Sequence, residues 1–216
     1  MAKGIYIGGT NDFNLVENGN FSNGLTNWTA VSGSGIAISS GTLATTLNTT
    51  LTGTSNFSLA TSSISYDCVI GHIYYYRGEI KTPSTAGGTR VYFAQTTASA
   101  STTGTGQWET VSNRITVSAE IANAENRKIR LMAQKGNPGD IIYWDNIKLY
   151  DLTAIYGAGN EPTKTWCDTN LASPTITNNI ARKAKSVYVG VDNVARKVIK
   201  GYIGVNNVAR LFYSAE

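Results

Sequence analysis

Through the first two thirds of the chain, apolar side chains recur at every second position in short runs broken by glycine, serine and asparagine. That period belongs to half-buried strands. "TLATTLNTTLTGT" and "NFSLATSSISY" read as alternating or threonine-rich strands, and "HIYYYRGEIK" and "RVYFAQTT" as stronger ones. "WETVSNRITVS" and "RKIRLMAQKG" follow, separated by a polar, helix-compatible "AEIANAEN", and "DIIYWDNIKLYDL" closes the set. Strands at this density, punctuated by breaks such as Thr85-Ala86-Gly87-Gly88, predict a β-sandwich or jelly roll over residues 13–152.

Two other regions break the rhythm. Residues 153–183 carry Gly157, Gly159 and Pro162 and read as a connector, with a short helix through Trp166-Cys167-Asp168 that packs by way of Tyr156 and Trp166. Residues 184–216 contain one phrase twice. Tyr188-Val189-Gly190-Val191-Asp192-Asn193-Val194-Ala195-Arg196 returns as Tyr202-Ile203-Gly204-Val205-Asn206-Asn207-Val208-Ala209-Arg210. Asp192-Asn193 and Asn206-Asn207 suit two-residue hairpin turns. Isolated hairpins are marginal in water, so these need a surface to lean on. The arm of residues 1–12 holds half of the same phrase, and its residues 4–8 are expected to add a strand to the small C-terminal sheet.

Composition agrees with an all-β chain: of 216 residues only 15% are charged, while 12 Tyr and 4 Trp accompany 5 Phe. The net charge of +4 is unevenly spread. From Ile180 onward seven basic residues face two acidic ones, so the positive excess lies in the repeat. Its charges are spaced along strands rather than clustered and no nucleic-acid fold signature is present, which sets nucleic acid aside and favours an acidic protein surface. "MAKGIYIGG" lacks the apolar run of a signal peptide, and no segment is long and apolar enough to span a bilayer, so neither secretion nor membrane insertion is expected. The four N-x-S/T sequons are then incidental.

Enzyme chemistry finds little support. Cys68 and Cys167 have no metal-site spacing and read as free thiols. His72 is the only histidine, no nucleophile motif accompanies it, and a structural role is expected. The carboxylates are scattered singly rather than paired as a glycoside hydrolase needs.

"NLVENGNFSNGLTNW" (residues 14–28) resembles the opening of the jelly-roll carbohydrate-binding modules, and "IIYWDNIKLYDL" (141–152) resembles their closing strand. "GHIYYYRGEIK" fits the Gly-x-x-Tyr-x-aromatic strand of that family. The resemblance covers about two thirds of the chain and implies the fold; its members include glycan binders and spacers. It also implies a structural Ca²⁺ near the last strand and the N-terminal strand, with Asp145 and Glu17 as candidate ligands. Oxygen ligands suit calcium. A buried Asp145 accepting backbone N–H bonds is the equal alternative. "YDLTAIYGAGNEPT" (150–163) and the "YIGVNNVAR" repeat resemble segments of tail and other virion proteins of phages that infect Gram-positive bacteria. That implies a protein made in the host cytoplasm and located in the virion.

Alternation assigns candidate site residues. If Tyr74, Tyr76 and Ile80 face the core, then Tyr75, Arg77, Glu79 and Lys81 face outward. On the last strand, Ile147 and Leu149 inward would leave Trp144 and Lys148 outward and give Asp145 the core parity. Aromatic rings beside charged partners can hold a sugar, so Tyr75, Arg77, Glu79 and Trp144 are the candidate carbohydrate-binding residues. The same aromatics could instead cover the sheet or a subunit contact. Tyr188, Arg196, Tyr202 and Arg210 are the candidate assembly residues. The expectation is thus an all-β jelly-roll sandwich with a small C-terminal β-hairpin repeat, non-enzymatic, docked into a virion by its basic tail. Its partners would be other virion proteins, further copies of itself and host surface glycans. The alternative is a purely structural capsid decoration or tail adaptor without sugar binding.

Overall fold

A computed structural model describes residues 13–31, 33–94, 97–123 and 127–171, and the strands within 187–214. The chain divides into two compact units, residues 12–174 and a second one of residues 1–11 with 175–216.

The first unit is a rolled-up antiparallel ribbon. Its eight principal strands are β3 (Thr42–Leu47), β4 (Leu51–Ser62), β5 (Ile73–Lys81), β6 (Arg90–Phe93), β7 (Thr97–Ala98), β8 (Trp108–Thr116), β9 (Ile129–Gly136) and β10 (Ile141–Asp151). They pair β3 with β10, β4 with β9, β5 with β8 and β6 with β7, all antiparallel. The ribbon closes on itself through β10–β5 and β9–β6. This is jelly-roll topology, and it yields two sheets. Two short strands extend them: β1 (Trp28–Ala30) joins β4, and β2 (Ser34–Ser39) joins β3. The first sheet runs β1-β4-β9-β6-β7 and the second β2-β3-β10-β5-β8.

The inner faces meet in one hydrophobic core. Tyr74 and Tyr76 pack on Phe93 at ring distances of 5.8 and 5.9 Å. Gly78 of β5 faces the same core, where a Cβ would come within 2.7 Å of the Ile147 side chain, so the close sheet approach needs glycine there. "AEIANAEN" starts as the short helix α1 (Ala119–Asn123), which buries Ile121.

The asparagine-rich opening segment lies along the second half of β10. Leu15 N donates to Leu149 O at 2.8 Å, and Ile147 N donates to Gly19 O at 2.8 Å. Side-chain amides stitch the loop. Asn18, at φ 54°, donates to the carbonyls of Gly24 and Thr26 and accepts from Asn23 N, while Trp28 Nε1 donates to Asn18 O. The opening and closing segments of the sandwich are therefore neighbours.

In the second unit, β11 (Val187–Val191) pairs with β12 (Val194–Val198), and β13 (Lys200–Val205) with β14 (Val208–Ser214). The register repeats fourteen positions on: Val189 opposite Arg196 becomes Ile203 opposite Arg210, and Val191 opposite Val194 becomes Val205 opposite Val208. The repeated phrase is thus a repeated hairpin. The strand expected from residues 4–8 falls outside the described residues.

Candidate functional site

The outer face of the β2-β3-β10-β5-β8 sheet brings most of the sequence-selected residues together, but not in the arrangement that strict alternation implies. On β10, Ile142 and Trp144 point inward, and so do Ile147 and Leu149. Two inward residues at even positions followed by two at odd positions require one extra residue, and the pairing with β5 slips between Asp145 and Lys148. Asn146 takes the strained turn of this bulge at φ 49°. A bulge reverses which face each later residue occupies.

Two expectations fail for that reason. Trp144, expected outside, is fully buried in the core with its Nε1 donating to Thr45 Oγ1 at 2.9 Å. Asp145, expected to share the core parity, lies on the outer face opposite Glu79.

Four cross-strand rows follow from the register. The first runs Ala44–Tyr143–Lys81–Trp108 and the second Asp145–Glu79–Thr110. The third is Lys148–Arg77–Ser112 and the fourth Tyr150–Tyr75–Arg114.

The third and fourth rows are covered by the chain that follows β10. Helix α2 (Leu152–Tyr156) is capped by Asp151, whose Oδ1 accepts from Ala154 N, while its Oδ2 lies 2.8 Å from His72 Nδ1. The lone histidine is thus a structural tie between β5 and α2. Helix α3 (Lys164–Asn170) starts at Thr163, which accepts from Trp166 N. Its Asp168 Oδ1 accepts from Tyr75 OH at 2.9 Å and Ser112 Oγ at 2.6 Å. Arg114 Nε donates to Pro162 O, and Lys148 Nζ lies 3.5 Å from Leu171 O. Tyr156 and Trp166, expected to anchor the connector, meet each other edge to face at 6.0 Å.

Tyr75, expected as an outward ring, is therefore sealed beneath this cover, stacked on Tyr150 at 6.4 Å. Burial, then the Asp168 contact, raises its phenol pKa above the ordinary range. Burial works against ionised Asp168 as well, but hydrogen bonds from Lys164, Ser112 and Tyr75 outweigh it and hold the carboxyl below its usual value. Burial pushes the Cys167 thiol up to about 12 and the Cys68 thiol up to about 11, so neither is poised as a nucleophile.

The first and second rows stay open. Trp108 is 46% exposed, and Lys81 and Thr110 are exposed beside it. Glu79 is gripped from two sides: Arg77 Nη2 donates to its Oε1 at 3.0 Å and Asn146 Nδ2 to its Oε2 at 2.9 Å. Asp145 accepts from Asn146 N at 2.7 Å. Partial burial raises the Asp145 pKa, the Asn146 amide works against that, and neighbouring Glu79 raises it further. Two carboxylates that read as solitary in the sequence are thus direct neighbours.

Glu17, the other candidate calcium ligand, is exposed and accepts from Asn27 Nδ2 at 2.8 Å. A cavity of about 110 Å³ beside the β10 bulge is lined by Asn14, Asn18, Asn20 and Asn146 among others, with no carboxylate. No group of three or more His, Cys, Asp or Glu side chains fit for a metal occurs among the described residues. The side chains of Tyr188, Arg196, Tyr202 and Arg210 lie outside the described residues, although their backbone registers are given above.

Trp108 and Tyr143 are the residues that sequence reasoning missed. The signal was the switch of apolar parity across Asp145-Asn146, which marks a bulge and moves Tyr143 outward.

No family model and no curated protein matches the sequence. Solved structures similar to it include a carbohydrate-binding module, CBM4, at 16% identity over 62% of this chain and 97% of that one, with a TM-score of 0.40. The CBM22-2 xylan-binding domain of Paenibacillus barcinonensis Xyn10C matches at 16% identity over 62% of this chain and 97% of that one, with a TM-score of 0.41. The enzymatically active domain of tailspike protein 4 of bacteriophage CBA120 matches at 14% identity over 64% of this chain, with a TM-score of 0.41. The match spans 21% of that tailspike chain. At these identities and TM-scores none of them assigns this chain a ligand.

Proposed function

We propose that the sandwich is a non-catalytic glycan-binding module whose site is the open half of the β2-β3-β10-β5-β8 outer face. The observation that carries this is the half-exposed Trp108 ring, in one cross-strand row with Tyr143 and Lys81 and next to the Asp145–Glu79–Thr110 row. An exposed indole offers an apolar face for a sugar ring, and the adjacent row offers acceptors and a hydroxyl for sugar hydroxyls. Binding rather than hydrolysis is proposed because Glu79 is tied into the sheet face, one oxygen accepting from Arg77 and the other from Asn146. The test is a glycan panel and Gram-positive cell-wall preparations probed with the wild type and with Trp108→Ala. Binding that depends on Trp108 supports the site, and absence of wild-type binding at high concentration sinks it.

We further infer that the module is carried on a virion, where the basic hairpin repeat docks it to other virion proteins or to further copies. This rests on the resemblance of residues 150–163 and of the repeat to virion proteins of phages of Gram-positive bacteria, and on the repeated register of the two hairpins. Deletion of residues 184–216 should leave a folded sandwich that no longer enters particles. Normal incorporation of that protein would remove the docking role. A structural spacer is the second reading. It is favoured by the cover over Tyr75, since half of the face serves the chain itself.

A further inference from the structure

Each sheet of the sandwich ends in two edge strands, β1 and β7 in the first and β2 and β8 in the second. A bare edge offers its unpaired N–H and C=O groups to any other chain, and proteins guard against this with short strands, charges or a cover. Three of these four edges carry such a guard. β1 has three residues and β7 has two. β8 carries Glu109 and Arg114, and Arg114 is tied to the connector through Pro162 O. β2 has no such device. Its six residues, Ser34-Gly35-Ile36-Ala37-Ile38-Ser39, include neither a charge nor a proline. Ala37 is exposed, and Ile38 is 39% exposed.

The ladder fixes which backbone groups of β2 point outward. Along an antiparallel strand, successive residues turn their N–H and C=O to opposite sides. Leu47 stands opposite Ser34, yet its N–H donates to Asp140 O and its C=O accepts from Gly139 N, both away from β2. Gly33 O accepts from Asn48 N, toward β3. Gly35 and Ala37 therefore bond to β3, while Ile36 and Ile38 turn their N–H and C=O to the open side. Those outward groups have no backbone partner among the described residues.

We propose that β2 pairs antiparallel with β2 of a second copy of this chain, about a two-fold axis at Ala37. In that register Ile36 exchanges both backbone bonds with Ile38 of the second copy, and Ile38 does so with Ile36 of the second copy. The isoleucine side chains then meet across the edge and cover the exposed Ile38. Ala37 meets Ala37 of the second copy at the axis. A neutral strand suits its own copy as partner, because pairing brings no like charges together. The contact joins two five-stranded sheets into one. It also runs the row Trp108–Lys81–Tyr143–Ala44–Ala37 into the same row of the second copy, so that two open half-faces become one surface. This edge is separate from the hairpin repeat, and the pairing stands without any sugar.

The experiment is sedimentation equilibrium of the full chain, without glycan, at increasing protein concentration. The wild type should associate reversibly, and Ile38→Pro should reduce the limiting mass by half. That substitution removes an outward N–H and leaves the bonds to β3 in place. Ala37→Lys and Ala37→Glu each set like charges opposite one another at the axis and should do the same, whereas mixing those two proteins should restore the pair. A wild type that stays a single chain at every concentration would overturn the proposal. So would a mass unchanged by both Ile38→Pro and Ala37→Lys, since association would then run through another surface. Mixing that restores nothing would overturn the register at Ala37. Should the variants fail to fold, hydrogen exchange of the wild type gives a second readout. The amides of Ile36 and Ile38 should gain protection as concentration rises, while that of Ala37 is protected throughout, and no gain at Ile36 and Ile38 overturns the pairing.

Discussion

The two halves of one sheet face have been put to opposite uses. In the covered half, Tyr75, Ser112, Arg114 and Lys148 each meet the α2–α3 segment, and a helix carboxylate ties the sheet to its cover. In the open half, Trp108 and Tyr143 flank Lys81 in one row with no such cover over the indole. Both halves contain aromatic rings and charges on outward positions of the same strands. What separates them is where the chain goes after β10. Composition of a face therefore does not say whether it binds a ligand or its own chain.

The division can be broken most forcefully at the two tryptophans. Trp144→Ala should cost about 3–5 kcal/mol of stability, because it empties a core site. Trp108→Ala should change stability by less than about 0.5 kcal/mol, as exposed substitutions generally do. Urea unfolding reads both, and comparable losses would mean that the indoles have been assigned to the wrong faces.

Binding sharpens the comparison. Loss of the exposed stacking ring in Trp108→Ala should weaken glycan affinity about tenfold, the scale of a single aromatic contact of ~1.4 kcal/mol. Tyr75→Phe should leave affinity unchanged and cost about 1 kcal/mol of stability, the worth of one hydrogen bond. Titration calorimetry beside unfolding separates them. If Tyr75→Phe lost affinity as Trp108→Ala does, the cover would be part of the site.

The sequence was most legible where local pattern carries the information. The strands around "HIYYYRGEIK", "WETVSNRITVS" and "DIIYWDNIKLYDL" were read from alternation, and their order is that of a jelly roll. The short β1 and β2 escaped because three residues, or a run such as Ser34-Gly35-Ile36-Ala37, show too little periodicity. Parity along β10 was legible only by counting from both ends, where Trp144 and Ile147 disagree by one position. The covering helix was legible as a short helix through Trp166-Cys167-Asp168, but its seat over Tyr75 was not. Tyr75 and Asp168 are 93 positions apart, and no local rule links a strand tyrosine to a helix carboxylate formed so much later.

The smallest expected effect distinguishes the halves by sign rather than size. Asp168, in the cover, has its folded-state pKa lowered because Lys164, Ser112 and Tyr75 favour the carboxylate over the opposing burial. It therefore contributes stability that is present above the unfolded pKa of about 3.9 and lost as pH falls through the lower folded value. Asp145, on the open half, has its folded pKa raised by burial and by Glu79 despite the Asn146 amide. The folded state then holds that proton more tightly than the unfolded chain does, so ionised Asp145 costs stability at neutral pH. The cost is relieved as pH falls through its raised folded value. Asp168→Asn should lower Tm at pH 7, with the gap to wild type narrowing in acid. Asp145→Asn should match or exceed wild-type Tm at pH 7, and any gain should fade as the wild-type carboxyl protonates. Melting curves from pH 7 to pH 3 on the three proteins read the signs directly. Tm lowered at pH 7 by both substitutions, with both gaps closing in acid, would mean that the Asp145 carboxylate is stabilised by its surroundings, and the electrostatic contrast between the halves would fall.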